Sequence, residues 1–379
     1  MSAEAHAAKR HRVLVVDDSA VVRRLLVEAL SAEPAIEVVG AAHNGREALE
    51  LFESLAPELV TLDVEMPELD GLAVLREIRR RAPCLPVVMF STQTAKGTQT
   101  TLAALLAGAS DFVHKPTSAR GAPDARHEIQ RLLVPRILAL CERAAGLSKT
   151  AIRPLAELAP HPIAPRLGDT TVFTPSFRQS LIPAEVVAIG VSTGGPAALA
   201  QLLEALGPEP CAPILIVQHM PPVYTRHLAE SLARKTSLDV REAVSGDRLT
   251  RGSCLIAPGD HHMLVERCAG GSRVVLNQAA AENSCRPSVD VLFREVAAVF
   301  QARALALVLT GMGQDGLLGS RAVRAGGGVI LAQDEASSVV WGMPGFVVRD
   351  GLADRVLDLE GLAREIRLRT RPNPLARAS

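Results

Sequence analysis

The 379 residues are too many for one ordinary hydrophobic core, so two domains are expected. Lys plus Arg and Asp plus Glu both number 41, leaving no formal net charge; this speaks against nucleic acid or an anionic membrane surface as a partner. Aromatic residues make up 3%, too few for the stacking platforms of single-strand nucleic-acid binding. A hydrophobic fraction of 48% beside a charged fraction of 22% suits soluble globular domains.

Six cysteines occur, Cys84, Cys141, Cys211, Cys254, Cys268 and Cys285. They form no C-x-x-C pair and no metal spacing with histidine, which reads as reduced thiols of a cytoplasmic protein. The first residues, MSAEAHAAKRHR, lack the apolar stretch of a signal peptide. No apolar run has the length of a bilayer span, so direct membrane insertion is not expected.

In chain order, residues 11 to 145 alternate strand-like and helix-like signals five times. The strand candidates are VLVV (13–16), IEVVG (36–40), ELVTL (58–62), LPVVMF (85–90) and DFVH (111–114). Between them Val21, Val22, Leu25, Leu26 and Ala29 share one helical face, and later Ile129, Leu132, Leu133, Ile137 and Leu140 do the same. Such alternation predicts βαβ units around a parallel sheet. From 146 to 183 the periodicity fails and Pro154, Pro160, Pro162, Pro165, Pro175 and Pro183 accumulate, the composition of an interdomain linker.

From 184 onward alternation returns. Strand candidates are VVAIG (186–190), PILIVQ (213–218), CLIAP (254–258), HMLVE (262–266), RVVLN (273–277), ALALVLT (304–310) and GVILA (328–332). Leu199, Leu202, Leu203 and Leu206 line one helix, and Val289, Leu292, Phe293, Val296 and Phe300 another. Closely spaced strands without helices over 239–277 predict an antiparallel excursion. The expected fold is therefore α/β: a flavodoxin-like (βα)5 domain over 11–135, then a doubly wound, mainly parallel domain over 184–370.

In open parallel sheets, chemistry gathers where strands end. The first domain's strands end at Asp17-Asp18, Asp63, Ser91-Thr92 and Lys115-Pro116. Taken singly, Asp18 or Ser19 reads as a helix cap, Asp63 as a turn cap and Lys115 as a solvated charge. Together they place three carboxylates, a hydroxyl and an ammonium on one edge, an arrangement that a hard cation such as Mg²⁺ would relieve.

VLVVDDSAVVR, LVTLDVEMPELDGL, VVMFST and DFVHKP make residues 11 to about 135 resemble a response-regulator receiver domain. The resemblance implies that Asp63 accepts a phosphoryl group from a cognate histidine kinase. It implies that Asp17, Asp18, Asp63 and the Glu65 carbonyl hold Mg²⁺, that Ser91 and Lys115 contact phosphoryl oxygens, and that Phe112 is the aromatic switch residue. Phosphoryl transfer needs in-line positioning and neutralised oxygens more than covalent help, which suits such a set.

In the second half, Gly190-Val191-Ser192-Thr193-Gly194 lies between a strand and a helix. The turn lacks the lysine of a P-loop, and serine stands where a dinucleotide fingerprint needs glycine. G-x-S-x-G is the pattern of a nucleophile elbow; a Ser/Thr helix cap with turn glycines is an equal reading of the motif alone. A serine nucleophile needs a base. His219 follows the next strand, while His227, His261 and His262 sit in a helix and a turn. Asp315, in LTGMGQDGLLGS after the strand 304–310, is the candidate carboxylate to orient the base; its local reading is a helix cap. The order Ser, His, Asp differs from the Ser, Asp, His of α/β-hydrolases.

IGVSTGGPAAL, IVQHMPP, SGDRLTRGSCLIAPGDHHMLV, RPSVDVLF, LTGMGQDG and WGMP make residues 184 to about 370 resemble the catalytic domain of chemotaxis protein-glutamate methylesterases. The resemblance implies Ser192 as nucleophile, His219 as general base and acid, and Asp315 as its orienting residue. It implies the Met312 N–H and a donor near Thr193 as oxyanion stabilisers, with no cofactor at that site. It further implies demethylation of glutamate methyl esters, and deamidation of glutamines, on the cytoplasmic helices of chemoreceptors, with activation by phosphorylation; a cytoplasmic monomer is expected. The chain departs from the common pattern in GMGQDG for GMGNDG, in His114, in AENSC before Arg286 and in its longer linker. Two other classes fit the same motifs: a phosphorylation-dependent binding protein with a secondary esterase, and a receiver joined to a different hydrolase.

Overall fold

A computed structural model describes residues 10–92, 94–116, 122–150, 182–207 and 212–371. Most of the predicted linker, 151–181, lies outside the described residues.

The first domain runs β1 (His11–Val16), α1 (Ala20–Ser31), β2 (Ile36–Ala42), α2 (Gly45–Leu55), β3 (Leu59–Asp63), α3 (Gly71–Arg81), β4 (Val87–Ser91), α4 (Ala95–Leu106), β5 (Asp111–His114) and α5 (Ala122–Thr150). Its sheet has the order β2-β1-β3-β4-β5, with every pairing parallel. This is the doubly wound order whose switch point lies between β1 and β3. Every residue of β3 and β4 is buried, as expected of strands covered by helices on both faces. α1 is capped by Ser19, whose Oγ accepts from Val22 N at 3.4 Å, and α3 by Asp70, whose carboxylate accepts from Ala73 N at 2.8 Å. Neither Asp18 nor Asp63 is the cap of these helices. α5 contains Pro135 and continues to Thr150, into the stretch whose later prolines mark the predicted linker.

The second domain runs β6 (Val186–Val191), α6 (Gly195–Leu206), β7 (Ile214–Gln218), α7 (Tyr224–Ala233), β8 (Asp239–Glu242), β9 (Ser253–Ile256), β10 (His262–Cys268), β11 (Gly271–Asn277), α8 (Val289–Phe300), β12 (Ala304–Val308), α9 (Leu317–Ala325), β13 (Val329–Gln333), α10 (Met343–Arg349), β14 (Arg355–Leu357) and α11 (Leu359–Thr370). Its seven-stranded sheet has the order β14-β13-β12-β6-β7-β9-β8, parallel throughout.

The expected antiparallel excursion is present: among the described residues β10 and β11 pair antiparallel, while β8 and β9 join the main sheet in parallel. The loop between β8 and β9 holds itself against β11, through Gly246 N to Val274 O at 2.9 Å and Leu249 N to Ser272 O at 3.0 Å. The chain thereby crosses over instead of turning back, and a short spacing in sequence does not produce a hairpin. β14, three residues long at the sheet edge, carries too little periodicity to be read beforehand.

The two domains share buried apolar surface. Leu102 and Leu105 of α4 belong to the same core cluster as Leu199, Leu202 and Leu203 of α6 and Tyr224 and Leu228 of α7, and α4 packs directly on α6 and α7. At about 25 cal/mol per Å² of buried apolar surface, such side chains contribute roughly 1.5–3 kcal/mol each when fully covered.

Candidate active site and phosphoacceptor site

The parallel order of the first sheet brings the ends of β1, β3, β4 and β5 to one edge. Asp17 and Asp63 are buried there, and Lys115 Nζ sits between them, 2.9 Å from Asp17 Oδ2 and 2.7 Å from Asp63 Oδ2. Burial pushes Asp63 up to about 6, against the opposing pull of Lys115, and raises Asp17 in the same way. Lys115 loses some of its preference for charge by burial, but hydrogen bonds to both carboxylates outweigh this and raise its pKa. Glu65 N donates to Asp63 Oδ1 at 3.3 Å. Ser91 Oγ accepts from Thr101 Oγ1 at 2.8 Å and donates to the Thr92 carbonyl at 3.1 Å.

Asp17, Asp18 and Asp63 each bring one carboxylate oxygen within 4.8 Å of the others. Apart from Lys115, the buried Asp17 Oδ2 and Asp63 Oδ2 have no hydrogen-bond donor. Three acids facing one ammonium leave excess negative charge on hard oxygen donors, a set that fits Mg²⁺.

In the second sheet β12, β6 and β7 are neighbours, so the segments after them converge. Ser192 N donates to Thr310 O at 3.0 Å, and His219 N to Val191 O at 3.1 Å. The turn after Ser192 relies on Gly194, which sits at φ +78° and caps α6, a conformation that glycine adopts without steric cost. Gly311 is required by close approach: a Cβ there would stand 2.4 Å from Met343 Sδ and 2.8 Å from Ser192 Cβ.

His219 Nε2 lies 2.8 Å from Asp315 Oδ2. Asp315 is buried and is not the cap of α9, whose N-cap is Gly316. Its carboxylate accepts from Val289 N at 2.7 Å, Asp290 N at 3.0 Å, Gly316 N at 3.1 Å, Ser288 Oγ at 2.8 Å and Asn283 Nδ2 at 3.0 Å. Burial alone would raise Asp315, but the hydrogen bond and charge of His219, with these backbone N–H groups, bring it down to about 2. Burial likewise disfavours charge on His219, yet its hydrogen bonds with Asp315 and Cys285 carry it up to about 9. The Met312 and Thr193 N–H groups have no acceptor among the described residues. Nor, among the described residues, does a hydrogen bond join the Ser192 hydroxyl to His219; such contacts often tighten only when substrate binds.

The other three candidate bases are engaged elsewhere. His262 accepts from Ser288 N at 3.2 Å through Nδ1, with Nε2 3.0 Å from Ala280 O. His227 pairs with Glu230 on α7, and His261 stands beside the Gly259 carbonyl.

A cleft of about 590 Å³ runs between the domains, lined by Ser192, His219 and Met312 on one side and Phe112, His114 and Arg136 on the other. Thr193 Oγ1 donates to Asp111 Oδ2 at 2.7 Å, and Asp111 pairs with Arg136 at 3.1 Å. Phe112 stacks on Tyr224, with centroids 4.8 Å apart and planes at 27°. The Tyr224 hydroxyl is buried without a hydrogen-bond partner among the described residues, and burial raises its pKa against the opposing pull of Thr98, Ser91 and Thr101. Arg143 reaches across to Glu335 at 3.3 Å.

Residues that surround the site without having been singled out from the sequence are Asp111, Tyr224, Asn283, Cys285, Ser288 and Asp290. Asp111 and Asp290 sit inside the motifs DFVHKP and RPSVDVLF, so those motifs were a signal. Asn283 and Cys285 lie in AENSC, a loop without periodicity that stood out only as a departure from the common pattern.

Among the described residues no helix is long and apolar enough to cross a membrane. The response regulator receiver domain family matches residues 13–122, and the CheB methylesterase family matches residues 187–366. A protein-glutamate methylesterase/protein-glutamine glutaminase of Trichodesmium erythraeum is 46% identical over 357 residues, covering 94% of this chain and 98% of its own. A protein of the same name from Nocardioides is 47% identical over 359 residues, covering 94% of each. The crystal structure of the Thermotoga maritima CheB methylesterase catalytic domain is 37% identical, covering 49% of this chain and 100% of its own, with a TM-score of 0.48. Because relatives this similar match along nearly their whole length, the chain belongs to the family of protein-glutamate methylesterases/protein-glutamine glutaminases, in which a response-regulator receiver precedes a CheB methylesterase domain.

Proposed function

We propose that Ser192, His219 and Asp315 perform this family's chemistry on chemoreceptor helices in the cytoplasm, under control of Asp63. The observation that carries the reading is the His219–Asp315 pair, its carboxylate buried, at strand ends adjoining Ser192. Ser192 Oγ attacks the side-chain carbonyl of a glutamate methyl ester. His219 takes the serine proton on Nδ1, the ring nitrogen not held by Asp315, and passes it to departing methanol. Met312 and Thr193 N–H groups receive the charge on the carbonyl oxygen. Water then attacks the acyl-enzyme with His219 again as base, releasing glutamate and the free serine. Deamidation of glutamine follows the same path with ammonia leaving. None of these steps calls on a cofactor.

His219 must be neutral to accept a proton. A pKa near 9 makes it cationic at neutral pH in this arrangement. Methanol release by the unphosphorylated chain is therefore expected to rise with pH, reaching half its maximum above the ordinary histidine value of 6.5. A profile already flat at that value would contradict the assignment. Fold stability runs the other way: the raised pKa contributes stabilisation that is complete below about 6.5 and is lost as pH rises through about 9.

The receiver acts as the switch. Asp17, Asp18, Asp63 and the Glu65 carbonyl would hold Mg²⁺, which when bound neutralises phosphoryl oxygens. Asp63 takes the phosphoryl group from a histidine kinase, while Ser91 and Lys115 contact its oxygens. Tyr224 supports this coupling: it belongs to the methylesterase domain, yet its ring stacks on Phe112 and its helix packs on α4 of the receiver. Movement of Ser91 and Phe112 toward the phosphoryl group withdraws what Tyr224 rests on and opens the cleft to a receptor helix. The test is methanol release from methylated receptor with and without a small-molecule phosphodonor. Wild type is expected to be stimulated and Asp63→Asn is not; equal stimulation of the two would end the switch reading.

A further inference from the structure

The starts of α8 and α9 are tied together around Asp315. Ser288, the N-cap of α8, makes no side-chain capping bond; its hydroxyl donates to Asp315 instead. The first N–H groups of α8, on Val289 and Asp290, also go to Asp315, at 2.7 Å and 3.0 Å. Asp290 completes an exchange: its Oδ1 accepts from Gly319 N, in the first turn of α9, at 2.6 Å. Asp315, just ahead of α9, thus serves the start of α8, and Asp290, in the first turn of α8, serves the start of α9. Both helix starts gain an acceptor and a nearby negative charge.

The exchange puts two buried carboxylates close together, and Asn283 joins them. Its Nδ2 donates to Asp290 Oδ2 at 2.9 Å and to Asp315 Oδ1 at 3.0 Å. Asn283 and Ser284 sit at φ +52° and +62° in a turn closed by Glu282 N to Cys285 O at 3.1 Å and Cys285 N to Glu282 O at 2.8 Å. Asparagine is one of the few residues besides glycine that suit this conformation. The other ionisable groups around the pair are His219 on Asp315 Oδ2, Cys285 in the same turn, and Arg294, one turn further along α8, which is held by Glu282 at 2.5 Å. Among the described residues His219 alone forms an ion pair with either carboxylate. Burial raises the pKa of Asp290, the Gly319 N–H opposes this, and the charge of Asp315 adds to it.

We propose that Asn283 is a positioning residue of the triad: one neutral donor between Asp290 and Asp315 keeps both ionised, and so keeps the full charge of Asp315 toward His219. Without the amide, two buried carboxylates face each other with no proton between them, and such a pair takes one up and shares it. A proton shared with Asp315 Oδ1 withdraws negative charge from Oδ2, and the pull on His219 Nε2 weakens. The effect on rate rests on the proposed roles of His219 and Asp315; the effect on the His219 titration does not.

The test compares wild type, Asn283→Gly, Asp290→Asn and the double variant, each as the full chain. Glycine takes a positive φ without strain, so Asn283→Gly removes the amide and keeps the turn. The His219 ring protons are followed by NMR across pH, and methanol release is followed beside them. Asn283→Gly should lower the His219 midpoint by about one pH unit, a tenfold loss of proton affinity. The high-pH plateau of methanol release should fall about tenfold, the scale of one charged hydrogen bond, with KM for methylated receptor nearly unchanged. A turn that only packs would lower the plateau without moving the midpoint. In the Asp290→Asn background the second charge is absent at every pH. There, adding Asn283→Gly should move the midpoint by less than about half as much. An unmoved midpoint in Asn283→Gly, or an equal shift in both backgrounds, would overturn the bridge. Failure of Asn283→Gly to fold where the double variant folds would support it, because the neighbouring charge is then what the amide offsets. A wild-type chain that releases no methanol would defeat the esterase reading instead, while the His219 titration still decides the bridge.

Discussion

Ser192→Ala is expected to abolish methanol release from methylated receptor, by at least about 10³-fold, because removing a nucleophile eliminates the covalent route. The neighbouring hydroxyl cannot substitute: Thr193 Oγ1 is committed to Asp111 at 2.7 Å. The substitution should leave the fold nearly unchanged, since the Ser192 hydroxyl makes no hydrogen bond among the described residues and its Cβ, which packs near Gly311, remains. Asp63 belongs to the other domain, so phosphodonor should still label the variant, as intact-mass measurement would record. A labelled, folded Ser192→Ala protein with substantial turnover would remove Ser192 from the mechanism.

Asp315→Asn is the second large effect, and it acts on both rate and stability. Among the described residues every partner of the Asp315 carboxylate is a donor: His219, Asn283 Nδ2, Ser288 Oγ and the N–H groups of Val289, Asp290 and Gly316. An asparagine would turn an NH₂ group toward some of them. A buried donor left facing donors costs about 1–3 kcal/mol. It also loses the charge that favours protonated His219. The rate should fall by about 10²–10⁴-fold, the range in which an amide in place of a triad carboxylate disrupts the histidine. The thermal midpoint should fall with it. The His219 pKa, followed by NMR of the ring protons, should drop from its raised position toward the ordinary value. An unchanged His219 titration would show that Asp315 does not set the state of this base.

Much of the α/β alternation was legible because buried parallel strands are nearly continuous apolar runs. VVAIG, ILIVQ and ALALV announce themselves in this way, and the residue after each strand is then a small set to search. β8 was harder. Its four residues include a single fully buried one, and its direction depends on loop hydrogen bonds to β11 that no local pattern encodes. β14 is too short for any period. Asp18 had a helix-cap reading, which was displaced when Ser19 took the cap position of α1, whereas Asp63 accepts from Glu65 N in the turn after β3.

At the strand ends of the second sheet, motif and strand position together were enough to single out Ser192, His219 and Asp315 for the proposed triad. They were not enough to distinguish which nitrogen of His219 meets Asp315, or what else surrounds that carboxylate. Asn283 and Cys285 come from an irregular loop that folds back over the pair, and local sequence carries no information on where such a loop returns.

By itself the sequence determined which strands form the two sheets' cores and which polar residues stand at their ends, because burial and chain direction impose periodic, local constraints. Only the tertiary structure decided that Thr193 is held by Asp111, that Tyr224 stacks on Phe112 of the first domain, and that Cys285 stands near His219 and Asp315. These contacts join residues far apart in the chain. Their geometry is set by how α4 packs on α6 and α7 and by how loops cross the sheet edge, which are properties of the packed whole and not of any segment.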